Sequence, residues 1–569
     1  SQENISNKGI DEIGIEDNAR KPYRVIDNVK IYMLNDPGSQ KELSLAIGIE
    51  DVDEIKKAYL MNIDYDGDVG KAIAIFYDDE SKKLYYWYDK TGHKPYFLTD
   101  IPPDNLMKIK EVVNHRSFDG VELVKKIDLL RGIERYLTKV VVKDPLAVRY
   151  LRDKVPTAWE ADIKYHVNYV YDLQLIPGML YRVKGPRIEP IEVLEEKYLE
   201  HIAKAILETK RSDEDVSRIA IELAKLFETK PPKMPRVALD IEVYTPFRGR
   251  VPAPNIAEFP IISIALVSND GLKRVLVLHR DGVEIGNLDE VKDTEIEFFD
   301  SERGLIIECF NIINKYPLLL TFNGDNFDLA YLYNRALKLG IPKELIPIRF
   351  KQRYITLKHG FHIDLYKFFN IRAIQAYAFD GKYKEYTLDA IASALLGIGK
   401  LALDRGVGEI NVAKLISYNV RDAEITLELT TFSNELVWKL IILLMRISKL
   451  GIEDVTRSQV SAWIKNLFYW EHRRRGYLIP LAEEIIELKG DTVTEAVIKG
   501  KKYAGAIVLE PKPGIYFNVV VLDFASLYPS IIKTWNLSYE TVNCSHCLLY
   551  TSDAADELDG VDLGGRRII

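Results

Sequence analysis

Apolar and polar residues alternate from Arg236 to Tyr244, with Val237, Leu239, Ile241 and Val243 on one side and Ala238, Asp240, Glu242 and Tyr244 on the other. A period of two predicts one half-buried β-strand, with the Asp240 and Glu242 carboxylates on the same face about 7 Å apart. Comparable runs predict strands over 72–77 and 84–88, joined by a polar turn at 78–81. Strand-like runs at 261–267 and 275–278 flank Asn269-Asp270-Gly271, a hairpin signal. The unbroken apolar run 317–322 predicts a strand buried on both faces. It empties into Asn323-Gly-Asp-Asn-Phe-Asp328, followed by a helix that Gly340 stops.

Further along, Asn411 is placed to cap a helix through about Leu429, with helix continuing to about Lys449. Tyr418 and Asp422, four residues apart, share one face of it. Ser212 and Asp215 open a helix that runs to about Thr229, and Pro231-Pro-Lys-Met-Pro235 then breaks the chain at a domain boundary. Residues 516–523 predict a second buried strand, ending in Asp523, with Pro529 in the first turn of the helix after it.

Each acid has an ordinary reading when taken alone. A single Asp-x-Glu is a solvated strand face, Asp328 complements a helix dipole for about 0.3–1 kcal/mol, and Tyr418 with Asp422 decorates a surface. Taken together they read otherwise. Two carboxylates held side by side repel each other, which suits a site for hard cations. Asp328 lies just past a strand end, where ligand sites of open α/β sheets gather. Antiparallel strands, a parallel strand and acid-bearing helices predict an α/β sheet of the ribonuclease-H type.

Composition narrows the class without naming it. The 569 residues imply three or more domains, and 47% hydrophobic with 28% charged residues is ordinary for a globular protein. A net charge of −8 denies the chain a global basic footprint. Local basic stretches remain: Arg473-Arg-Arg475 beside Tyr469 and Trp470, and Lys499-Gly-Lys-Lys-Tyr-Ala-Gly505. Such mixtures meet phosphates or form solvated charge runs. Three cysteines rule out a disulfide framework, and Cys544-Ser-His-Cys547 is half a metal site with no second half. The greasiest stretch, 436–452, is broken by Lys439, Arg446 and Lys449, so an amphipathic helix, no membrane span and a soluble, intracellular protein are expected.

Four strings in order, LDIEVYT, NGDNFD, YNVRD and DFASLYPSII, resemble the motifs of family B DNA polymerases, closest to the archaeal replicative type, over residues 20–543. The resemblance implies that Asp240, Glu242, Asp328 and Asp422 are the four acids of a 3′→5′ proofreading exonuclease. They would hold two Mg²⁺ or Mn²⁺ ions, with Tyr418 orienting the attacking water. Asn323 and Phe327 match positions that grip the frayed 3′ end. Asp523 matches the first catalytic aspartate of the polymerase palm, where the Phe524 backbone is a second oxygen donor to metal. Ser526, Leu527 and Tyr528 match the cradle of the incoming triphosphate, Tyr528 being the steric gate against a 2′-hydroxyl. Tyr503 and Gly505 resemble a DNA-contacting tyrosine–glycine–glycine linker, with Ala506 in place of the second glycine.

The implied organisation is a multidomain α/β protein: a mixed α/β N-terminal domain (1–230), a ribonuclease-H-like exonuclease domain (231–430), a helical connection (431–500) and the start of a truncated palm (501–546). Residues 547–569 resemble no part of the family and are expected to be a non-native tail. A second palm motif of the DTDS kind and a lysine–asparagine helix do not occur after residue 523, so primer extension by this chain alone is not expected. The implied partners are primer–template DNA, a single-stranded 3′ end and deoxynucleoside triphosphates. A sliding-clamp contact is not legible. Residues 85–98 are aromatic enough to allow template uracil reading. A stand-alone nuclease and an inactive DNA-binding module are the alternatives. The triphosphate-binding string argues against the first, and the full set of acids against the second.

Overall fold

The computed structural model describes residues 50–542, apart from 208–213, 247–250, 292, 353, 402–405, 490–495, 499–500, 504–511 and 525, together with three short strands before residue 33. Ser212, Gly505, Ala506, Cys544, Cys547 and the expected tail 547–569 lie outside the described residues.

A six-stranded mixed sheet carries the acids. Its strands are β1 (Arg236–Val243), β2 (Ile261–Ser268), β3 (Lys273–Leu278), β4 (Glu295–Phe299), β5 (Leu318–Thr321) and β6 (Phe361–Asp364). In space they run β4-β3-β2-β1-β5-β6. The Asn-Asp-Gly hairpin forms between β2 and β3, while β5 runs parallel to β1 and to β6. Helices α1 (Glu302–Ile313) and α2 (Asp328–Lys338) cover one face, and α3 (Val412–Ser448) covers the other.

The alternation in β1 sorts residues between these faces. Val237, Leu239, Ile241 and Val243 join Leu305, Ile306 and Leu329 in one core. Ala238 joins Ile416, Val420 and Ala423 of α3 in the other. Asp240 and Glu242 have the parity of Ala238, so they face α3. β2 is buried at every position, as a strand covered on both faces must be.

Asn411 caps α3 by accepting from the Lys414 amide at 2.9 Å. The helix is interrupted at Phe432–Glu435, where Ser433, Asn434 and Glu435 take positive φ. Arg236, at the start of β1, reaches across to this break. Its buried guanidinium donates to the Thr430 hydroxyl at 2.9 Å and to Glu435 at 2.5 Å, and lies 5.2 Å from the Trp438 ring.

The predicted strands 72–77 and 84–88 appear as Lys71–Asp78 and Lys83–Tyr88, paired antiparallel in a five-stranded sheet. Their turn is tied by Asp78, which accepts from the Glu80 amide and the Ser81 hydroxyl. The chain forms two compact units, 1–93 with 173–468 and 94–172 with 469–569. Within the second unit, strand Phe118–Asp128 pairs at Ile127 with Tyr477, and Leu478 packs with Tyr96, Leu98 and Trp159. Distant sequence thus completes that small core.

Two expectations are corrected. Residues 516–523 form no strand: their backbone makes no ladder and their apolar side chains are exposed, because among the described residues no strand lies alongside to pair with them. The basic cluster 473–475 is not laid out for phosphates. Arg473 is buried against Glu160 and Asp172, and Arg474 and Arg475 both pair with Glu471.

Candidate active site

Asp240 and Glu242 leave β1 toward α3, whose buried Asp422 meets them. One oxygen from each of the three lies within 4.8 Å of the others, and among the described residues no other group of three or more such donors comes together. Asp328 closes the set from the first turn of α2, where its Oδ1 accepts the β1 amide of Ile241 at 3.3 Å. That bond ties the start of α2 to the strand between the two acids. Tyr418 sits one turn before Asp422 on α3, as its spacing predicts.

Two polar residues that the sequence pattern did not single out complete the arrangement. Asn419 donates from Nδ2 to Asp240 Oδ2 at 2.7 Å and to the Asp240 carbonyl at 3.1 Å, while its Oδ1 accepts the Ser263 hydroxyl at 2.6 Å. It is fully buried, and a lone amide on the apolar side of a helix is the signal that could have found it. Lys400 pairs with Asp422 Oδ2, and its Nζ lies 5.7 Å from the Tyr418 ring centroid. It follows Gly399 in a segment without periodicity, so no pattern pointed to it.

The acids carry the cost of their crowding. Burial, then Glu242, Asp422 and Asp328, pushes the Asp240 carboxyl well above the usual range. Burial, then Asp422, pushes Glu242 up to about 8. Burial pushes Asp328 up to about 7, against the hydrogen bonds it accepts from its own amide and that of Ile241. Burial raises Asp422 too, outweighing Lys400. Burial works to lower Lys400, yet the pairing with Asp422 outweighs it and holds the ammonium charged. Burial and Asp422 push the Tyr418 hydroxyl up to about 12, so it stays a proton donor at neutral pH.

One lysine against four carboxylates leaves an excess of negative charge. Asp422 Oδ1 is also buried without a hydrogen-bond partner. A carboxyl with an unpartnered oxygen, grouped with two further acids, fits a divalent cation, and all-oxygen donor sets suit hard ions.

Asn323 takes positive φ (70°) in the turn before α2, and half-buried Phe327 is the residue before its first turn. A side chain at Gly324 would place Cβ 2.2 Å from the Thr321 hydroxyl oxygen, so this close approach requires glycine. The other sequence-predicted residues are not gathered into this cluster. Asp523 and Phe524 are exposed on backbone without a ladder. Ser526, with φ 52°, precedes helix Leu527–Trp535, whose first turn holds Leu527 and Tyr528. Tyr503 ends the short strand Lys501–Tyr503.

Known proteins fit this arrangement. The profile of the DNA polymerase family B exonuclease domain matches residues 157–391, and that of DNA polymerase family B matches 455–559, together more than half of the chain. The chain belongs to DNA polymerase family B. Among curated relatives, DNA polymerase 1 of Saccharolobus solfataricus is 51% identical over 93% of this chain and 60% of its own length. DNA polymerase 1 of Aeropyrum pernix is 50% identical over 90% of this chain and 54% of its own. The chain therefore spans a little over half the length of these family B relatives. The structure of the family B DNA polymerase from Pyrobaculum calidifontis shares the fold, with a TM-score of 0.60 and 22% identity over 85% of this chain and 57% of that one. Exonuclease domains of family B use divalent metals, in keeping with the acidic cluster. Among the described residues no helix is long and apolar enough to cross a membrane.

Proposed function

We propose that this chain is part of a DNA-directed DNA polymerase and carries its 3′→5′ proofreading exonuclease. The observation that supports this most is the convergence of Asp240, Glu242 and Asp422 within 4.8 Å, with Asp328 hydrogen-bonded to the same strand. Two divalent ions at this cluster, Mg²⁺ or Mn²⁺, supply the positive charge that the attacking and leaving oxygens of a phosphodiester need during in-line displacement. The protein's own groups do the rest. The four carboxylates fix where that charge sits. Asn419 holds Asp240 in place, and Lys400 orients Asp422. The protonated Tyr418 hydroxyl donates to the attacking water, and Asn323 and Phe327 hold the last nucleotide of a single-stranded 3′ end.

The same reading gives residues 231–430 to the exonuclease domain, 1–230 to the N-terminal domain, 431–500 to the helical connection and 501–546 to the start of the palm. Asp523 and the Phe524 backbone would be metal donors of the polymerase site in the intact enzyme. Ser526, Leu527 and Tyr528 would meet the triphosphate, and Tyr503 and Gly505 the DNA between the two sites. Its substrates are primer–template DNA and deoxynucleoside triphosphates, and its place is the nucleoid. Single-turnover digestion of a primer with a mismatched 3′ end, with and without Mg²⁺, tests the exonuclease. Metal-dependent release of 3′ nucleotides is expected. No cleavage with either Mg²⁺ or Mn²⁺ would favour a DNA-binding module instead.

A further inference from the structure

The turn 323–328 carries Asn323 and Phe327 but makes no strand ladder, and α2 begins only at its end. It is held from beneath by two acids. Asp364, the last residue of β6, accepts the amides of Asn323 at 2.7 Å and Asp325 at 3.2 Å. The Asp325 side chain turns inward, 3% exposed, and accepts the Ile355 amide at 2.9 Å. These carboxyls crowd each other: burial, then Asp325, pushes Asp364 up to about 6. Burial opposes ionisation of Asp325 as well, but the His362 ring and the Arg457 guanidinium outweigh it and keep its carboxyl below the ordinary range.

Among the described residues, Arg457 alone bonds Asp325 as a fork. Nε lies 3.0 Å from Oδ2 and Nη2 lies 3.3 Å from Oδ1. The guanidinium is anchored in turn. Nη1 donates to the carbonyls of His362 at 3.0 Å and Glu453 at 3.2 Å, and the group lies 4.8 Å from the Tyr354 ring. Burial lowers His362 to about 4, so its ring is neutral. Its Nδ1 donates to the Ile355 carbonyl and its Nε2 accepts the Thr321 hydroxyl, both at 2.8 Å. The turn is therefore clamped between Thr321, against which Gly324 is packed, and a planar cation 132 residues further along the chain. Bidentate arginine–carboxylate pairs fix orientation as well as distance.

We propose that the Arg457–Asp325 fork is a positioning pair: it sets the turn so that Asn323 and Phe327 meet the last nucleotide of a single-stranded DNA 3′ end, while touching no substrate itself. This rests on the exonuclease reading above. Arg457 bonds to none of Asp240, Glu242, Asp328 or Asp422, so its loss moves the grip and leaves the hydrolytic acids in place.

The test compares Arg457→Gln with the double variant Asp325→Asn/Arg457→Gln, which keeps an amide pair without a buried unpaired charge. For Arg457→Gln, amide exchange over 322–328 is expected to speed up while 237–243 and 413–429 stay protected. KM for a single-stranded oligonucleotide should rise about tenfold with kcat within about twofold, well inside the hundredfold that misplacement by an ångström can cost. The double variant should recover most of the lost KM. Unchanged exchange in the turn, a fall in kcat at constant KM, or no recovery in the double variant would overturn the proposal. If Arg457→Gln does not fold, the double variant decides by the same KM and exchange measurements. Loss of fold in both assigns the pair to stability and overturns it. If the unmodified chain cleaves no 3′ end, the exonuclease reading fails separately, and exchange alone decides the pair: loosening confined to the turn supports it, and loosening that is absent or spread over the sheet does not.

Discussion

Residues 236–243 and 516–523 read alike as sequence, each an apolar run carrying an aspartate that matches a catalytic position. In the structure they part company. The first is β1, bonded to β2 along nearly its whole length and to β5 at its start, with a core on each face. The second is irregular chain, bent at Phe517 and Asn518, whose Phe517, Val521 and Leu522 are 85–89% exposed. Local pattern says only that a segment can be a strand. Neighbours supply the ladder bonds and the cover that make it one, because a backbone without strand partners takes its hydrogen bonds from water, and apolar side chains leave water only where neighbours cover them. The acids inherit the difference: Asp240 is held among Asn419, Glu242 and Asp422, whereas Asp523 is exposed on backbone without a ladder.

The contrast can be pressed experimentally, starting where it is widest. Asp240→Ala combined with Glu242→Ala should lower metal-dependent release of 3′ nucleotides by roughly a thousandfold or more, the scale on which loss of a catalytic unit is felt. Thermal unfolding should meanwhile show an intact fold, and retained cleavage in the double variant would remove these acids from the site. Leu239→Ala empties part of the core beneath β1 and should cost about 2–5 kcal/mol in denaturant unfolding. Lys400→Met removes the cation beside Asp422 and deepens the excess of negative charge, so the metal concentration needed for half-maximal cleavage should fall about tenfold, and a rise would show that holding Asp422 in place outweighs the charge.

Smaller effects follow from the raised carboxyls. Glu242 binds its proton up to about pH 8 when folded, against an ordinary value of 4.5. Between those values the folded state holds more protons than the unfolded one, so metal-free stability falls as pH rises through that window. Glu242→Gln should remove that slope. At pH 9 without metal the variant should be more stable by about 1–2 kcal/mol, less than the full shift implies because Glu242 keeps an edge in solvent, and at pH 4 the two should match. Added Mg²⁺ should reverse the order at pH 9 by stabilising only the unsubstituted site. At the far end of the scale, Leu522→Ala should change stability by no more than about 0.5 kcal/mol, and a larger loss would mean that this segment is packed after all.

What the sequence made legible follows the same physics. The strand at 236–243, the Asn-Asp-Gly hairpin, the helix starts at Asp328 and after Asn411, and the Tyr418–Asp422 face were readable because short-range periodicity and capping decide them. The convergence of the acids was readable only because three separate motifs carried it. Lys400 and Arg457 were not readable, and Asn419 could have been flagged only as a buried amide without a known partner. Their roles depend on tertiary neighbours 22, 132 and 179 residues away, and nothing in their local pattern encodes those distances. The basic run 473–475 misled for the same reason, since Glu160 and Asp172 consume the charge of Arg473 from far upstream.

The bridge from Arg236 to Thr430 spans 194 residues, and the acids it brings into register are almost as far apart in the chain. Closing so long a loop is slow relative to local structure, because its entropy is spent before the contact rewards it. At a synthesis rate of roughly 5–20 residues per second, Asp422 leaves the ribosome about 10–40 s after Asp240. Throughout that interval the chain lacks at least one of the four acids of the proposed metal site. On the exonuclease reading, a nascent chain beside nucleic acid would lack the power to cut until Asp422 reaches the three earlier acids.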